Sequence, residues 1–171
     1  VLEKLRARGV PIYAVGKICD IFNANDKYTY VPAKGNADGI SETIRLINDK
    51  NANGLIFTNL VDFDMLYGHR RNVAGYRAAL EEMDAAIPEM VAGLRDGDIL
   101  LLTADHGNDP TRPGSDHTRE YVPILAVGPR VRSGVNLGTR ETFADIGETL
   151  AEAYDLPPLG KGKSFLSEIL P

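Results

Sequence analysis

Four short apolar runs, separated by stretches with helical spacing, constrain this 171-residue chain most. They are residues 10–15, 54–61, 98–103 and 122–127. Each has strand length, and Ile99-Leu100-Leu101-Leu102 is apolar at consecutive positions, as in strands covered on both faces. Between them, residues 37–50 carry Ile40, Ile44 and Ile47 on one helical face. Residues 73–94 carry the stripe Tyr76, Leu80, Met83, Ile87, Met90 or Val91, and Leu94. Pro88 falls inside that stripe and predicts a kink or a restart, because it removes a hydrogen bond and crowds the preceding turn. Residues 1–8 read as the end of a helix closed by Gly9. Residues 16–35 read as irregular, with Asn23, Asn25, Asp26, Pro32 and Gly35 as breakers. Thr142, with Asp145 three residues on, predicts a variant capping box for a helix through Ile146, Leu150 and Ala153. A short helix is expected over 164–170. This alternation predicts an α/β fold, a largely parallel sheet flanked by helices.

Composition narrows the function classes. Hydrophobic residues make up 43% and charged residues 25%, which excludes a disordered chain. Nineteen basic residues against 24 acidic ones give a net charge of −5, which argues against nucleic acid as partner. Cys19 is the one cysteine, so no internal disulfide forms and a cytoplasmic location is expected. No apolar run approaches the length of a membrane span. The chain opens Val1-Leu2-Glu3 in mid-helix character, and the expectation is a piece of something longer.

The three histidines decide the rest. His69 falls in residues 62–71, and His106 and His117 fall in residues 104–120. Both segments follow an apolar run, and ligands gather at the carboxyl ends of strands in such sheets. The second loop opens Thr103-Ala104-Asp105-His106-Gly107-Asn108 and continues to Asp116-His117-Thr118. The first reads Asp62-Phe63-Asp64-Met65-Leu66-Tyr67-Gly68-His69. Carboxylates with imidazoles and no nearby cysteine suit Mn²⁺ or Zn²⁺ in an open rather than a closed structural site. Asp62 and Asp64 would share one side of an extended segment, so spacing does not choose between them.

These motifs carry a resemblance. Thr103 to Asn108 with Asp116-His117-Thr118 resembles the metal-binding signature of the mutase branch of the alkaline phosphatase superfamily. Asn59-Leu60-Val61-Asp62-Phe63-Asp64, Gly68-His69-Arg70-Arg71, Gly16-Lys17-Ile18, residues 117–123 and residues 142–147 look like the phosphopentomutase family. The resemblance implies interconversion of ribose 1-phosphate and ribose 5-phosphate, and of the deoxyribose pair. It implies two Mn²⁺ ions and a phosphothreonine primed by a sugar bisphosphate, ribose 1,5-bisphosphate or glucose 1,6-bisphosphate. Carried over by motif, Asp64, His69 and His117 would hold one Mn²⁺, and Asp105 and His106 the other. The family pattern selects Asp64 and leaves Asp62 either supporting the ligands from behind or a structural role. Lys17 would contact substrate phosphate; read alone, it is equally a solvated surface lysine.

The same resemblance implies that residues 1–171 are the C-terminal portion of the metal-binding core. A first strand with a further Asp ligand, the nucleophilic threonine and a cap domain are expected elsewhere. No threonine of this chain matches the nucleophile, so inactivity of these residues alone is expected. A cofactor-independent phosphoglycerate mutase and a non-catalytic metal-binding module are the alternatives. Partners are expected to be pentose phosphates, with self-association through an exposed sheet edge. Gly162-Lys163-Ser164 resembles the end of a phosphate-binding loop but lacks the glycine five residues earlier.

Overall fold

A computed structural model describes residues 1–24 and 26–171; Asn25, one of the breakers named above, lies outside them. Its centre is a three-stranded parallel sheet in the order β2-β1-β3, formed by β1 (Ile12–Val15), β2 (Thr29–Val31) and β3 (Leu55–Thr58). Tyr13 pairs with Thr29 on one side of β1 and with Ile56 on the other.

Successive side chains of a strand face opposite ways, and this sheet is covered on both sides. Ile12 packs with Leu2 and Leu5 of α1 (Leu2–Ala7) and Ala151 of α5 (Ala144–Ala153). Ala14 packs with Ile18 and Cys19 of α2 (Ile18–Ile21), and burial pushes the Cys19 thiol pKa up. On the other side Val15 meets Val31 and Leu46, the latter from α3 (Asn36–Asn48). Ile40 and Ile47 of α3 then bury Met90 of α4 (Val73–Ala92), with Met83, Ala86 and Leu94 beside it.

The parallel core follows the apolar pattern, and the departures have physical reasons. β4 (Leu100–Thr103) and β5 (Ile124–Val127) form a separate antiparallel pair, with Leu101 opposite Ala126, rather than extending the parallel sheet. A parallel return needs a crossover, usually a helix, and the described residues between these strands form no helix. α2 and β2 lie in the stretch read as irregular; both are too short to show a period. α4 continues through Pro88 without a break. Pro88 is exposed, as is Asp84, so water can satisfy the Asp84 carbonyl that an N–H at position 88 would have met. Leu80, expected in the α4 stripe, is 52% exposed; Ala79 is buried in its place.

The last third of the chain is fastened by ionic groups. Arg140 donates to Asp145 at 2.8 Å, to Glu168 at 3.1 Å and to the Lys163 carbonyl at 3.0 Å. Asp145 also accepts the Lys163 N–H, which commits that backbone donor to the protein itself. Thr142 Oγ1 accepts the Ala144 N–H, but the capping box does not close, because the Asp145 carboxylate is taken by Lys163 and Arg140. Glu148 accepts the N–H groups of Leu159 and Lys161. The backbone donors on both carboxylates, and Arg140 on Asp145, hold their pKa values below the ordinary range.

Candidate metal centre

The segment read as a loop after β3 is a π-helical turn, Phe63–Gly68. Its defining bond runs from the His69 N–H to the Asp64 carbonyl at 3.0 Å. On an α-helix, residues five apart are separated by about 140°. The wider π turn instead brings both side chains to one place, and His69 Nε2 lies 3.2 Å from Asp64 Oδ2. The Phe63 ring packs at 5.5 Å from Tyr76 and so seats the turn on α4.

This turn also sends the two aspartates to different partners. The Asp62 carboxylate accepts the Asn36 N–H at 2.7 Å, while the Asp62 N–H donates to Asn36 Oδ1 at 3.0 Å. Asp62 therefore ties the start of α3 to the end of β3, a negative charge at the positive end of a helix. Asp64 points the other way, into the histidines.

The loop after β4 brings the rest. His117 Nε2 lies 3.2 Å from Asp64 Oδ1 and 3.1 Å from His69 Nε2. The His106 ring stacks on His117 at 3.8 Å. One donor atom each from Asp64, His106 and His117 falls within a 4.8 Å span. His69 joins them through Asp64 and His117, so all three histidines meet. Asp105 does not: its side chain is 75% exposed and reaches only to 3.8 Å from His106 Nε2. Lys17 also stays outside the cluster. Its exposed ammonium lies 3.0 Å from Met65 Sδ, beside the turn and at the carboxyl end of β1.

The donor set fits a divalent cation. His69 Nδ1 is 2.5 Å from the Ser115 carbonyl and His106 Nδ1 is 3.1 Å from the Gly107 carbonyl. Carbonyls only accept, so both Nδ1 atoms carry hydrogen, which leaves each Nε2 as the ring atom available to a cation. Ligands about 2.1 Å from an ion lie roughly 3–3.5 Å apart in common geometries. The Asp64, His69 and His117 contacts have that spacing.

Two residues that sequence reasoning left without a role hold the cluster together. Arg71 donates from Nη1 to the carbonyls of Gly68 and Asp109 and to Asn108 Oδ1, from Nη2 to the Asp116 carbonyl at 2.6 Å, and from Nε to the Gly114 carbonyl at 2.5 Å. The guanidinium thus laces the second loop to the π turn. Asn108, 7% exposed, donates from Nδ2 to Asp64 Oδ1 at 2.5 Å. No periodic pattern announces such contacts; the sequence clue was nearness alone, Arg71 two residues after His69 and Asn108 two after His106.

Among known proteins, a family profile described as the metalloenzyme superfamily matches residues 7–158. Phosphopentomutase of Kosmotoga olearia is 53% identical over 169 residues, and that of Alkaliphilus metalliredigens is 50% identical over 170. Phosphopentomutase of Thermotoga maritima is 50% identical over 165 residues. These alignments cover 96–99% of the chain but only 42–43% of the relatives, so the chain spans about two-fifths of their length. Among solved structures, phosphoglycerate mutase of Leishmania mexicana superposes on 95% of the chain and 38% of its own, with a TM-score of 0.71 at 18% identity. That likeness shows the fold.

Proposed function

The chain belongs to the metalloenzyme superfamily, and on that premise we propose that residues 1–171 are the C-terminal portion of the catalytic core of a phosphopentomutase. The enzyme would interconvert ribose 1-phosphate and ribose 5-phosphate, and the deoxyribose pair, in the cytoplasm. Relatives of that name at about half identity support this over a phosphoglycerate mutase, whose structural likeness stands at 18% identity. The convergence of Asp64, His106 and His117, with His69 against them, is the observation that carries the reading.

In this proposal Asp64, His69 and His117 hold one Mn²⁺, and Asp105 and His106 contribute to a second. Two such ions, when bound, stabilise negative charge on attacking and leaving oxygens at phosphorus. The protein's own part is to orient the His69 and His106 rings, holding each Nδ1–H on the Ser115 and Gly107 carbonyls and leaving each Nε2 for the ion. Lys17 is proposed to bind the substrate phosphate; its exposed ammonium at a strand end beside the π turn supports that role. The phosphothreonine and its sugar-bisphosphate primer belong to the whole enzyme, and these 171 residues alone are expected to be inactive. A non-catalytic metal-binding module is the alternative.

Calorimetric titration of this chain with Mn²⁺ is expected to show about one site with useful affinity, lost in His117→Ala. Absence of binding at millimolar Mn²⁺ overturns the ligand assignment. In the whole enzyme, His117→Ala is expected to abolish ribose 1-phosphate turnover with the fold intact. Turnover of 3-phosphoglycerate alone by the unmutated enzyme overturns the choice of substrate.

A further inference from the structure

We propose that Asn108 is a positioning residue that fixes the orientation of the Asp64 carboxylate, and that Arg71 fixes Asn108 in turn. The inference rests on the metal reading of Asp64, His69 and His117 and adds what aims the carboxylate.

The amide of Asn108 is oriented by chemistry rather than by choice. Arg71 Nη1 sits 2.9 Å from Asn108 Oδ1, and a guanidinium only donates. The oxygen must therefore face Arg71, and Nδ2 must face Asp64 Oδ1. Arg71 cannot turn away, because its donors are also engaged by four backbone carbonyls, those of residues 68, 109, 114 and 116. Its own backbone sits at φ +53°, a left-handed conformation that costs a non-glycine residue roughly 1 kcal/mol or more. The surrounding contacts hold it there.

Gly68 completes the device. A β-carbon at this buried position would fall onto the Asn108 side-chain amide, so the glycine leaves the passage through which Nδ2 reaches Asp64. A buried donor on Oδ1 also restricts the directions in which that oxygen can coordinate, while Oδ2 faces His69. A carboxylate on a single rotatable stem would otherwise swing between the two loops. Residues that orient ligands in this way typically change metal affinity 10- to 100-fold when removed.

The test uses Co²⁺ as the probe, because its visible bands report ligand arrangement as well as occupancy. The unmutated chain is expected to give such bands on titration. Asn108→Ala is expected to weaken Co²⁺ binding about 10- to 100-fold and to move the bands. Gly68→Ala leaves Asn108 and the ligands themselves unmutated, and it is expected to do the same by displacing the amide. The decisive measurement is the double variant: the loss from Gly68→Ala should shrink once Asn108 is alanine, because the amide it displaces is gone and only the Phe63 carbonyl, 2.9 Å from the added β-carbon, still resists it. A merely structural role would give additive losses and unmoved bands. Bands and midpoint unchanged in both single variants overturn the Asn108 assignment and leave the metal site standing. No Co²⁺ bands from the unmutated chain overturn the metal reading, and this assignment with it. Should Asn108→Ala fail to fold, Gly68→Ala and Arg71→Lys carry the same comparison, the lysine keeping charge but losing the fork of donors.

Discussion

Asp145 and Glu148 link single carboxylates to the stability of this protein in acid. Both are buried; backbone N–H groups favour the charged form of each, and Arg140 favours that of Asp145. Their folded pKa values are depressed below the unfolded values of about 4. The stability they contribute is therefore complete above the unfolded pKa and is lost as pH falls through the folded one. Thermal unfolding is expected to hold steady near neutrality and to decline below about pH 4. Asp145→Asn leaves Arg140 short of an anion and should cost about 1–3 kcal/mol at pH 7, with a shallower decline in acid. Equal acid slopes for the two proteins would show that Asp145 is not a source of the decline. At this scale the sequence marked Asp64 and the three histidines that meet, but not that Asp105 and Lys17 stay apart from them, nor how the cluster is held. His69, His106 and His117 stood out by their loops, whereas Arg71 and Asn108 act through carbonyl directions that no side-chain pattern records.

Elements were legible in proportion to their period. Helix α3 carried its isoleucines at helical spacing, and β1, β3, β4 and β5 were continuous apolar runs. The π turn had no such mark: its residues Met65 and Leu66 are exposed, and its geometry rests on backbone bonds and on the Phe63–Tyr76 contact. The sense of β5 was also hidden, because direction depends on the connection and not on the strand. Strands β3 and β4 each keep one edge without a strand partner among the described residues. Ile56 and Leu100 nevertheless rest on the same α3–α4 layer. Self-association of this chain through such an edge is expected to raise its light-scattering mass with concentration. Leu101→Lys, a charge on the β4 edge strand, should return it to the monomer. A monomer mass at every concentration for the unmutated chain would remove the edge from consideration.

Taken as a whole molecule, the chain is two sheets on a shared helical layer, and the candidate ligands are divided between them. Asp64 and His69 follow the last strand of the parallel sheet, while His106 and His117 lie in the connection between the two antiparallel strands. An ion gripped from both sides would act as a clasp between two separately hydrogen-bonded bodies. Its binding energy would then be felt as mechanical rigidity far from the ligands. Saturating Mn²⁺ at about 100 times its dissociation constant should add about 2.7 kcal/mol to stability. Backbone amide exchange should slow in β3 and in β4 together, and a chelator should release both. Slowing confined to one sheet would mean that the ion is held from that side alone. In a protein built this way, withdrawing the metal would do more than silence a reaction: it would unfasten the seam between the two sheets.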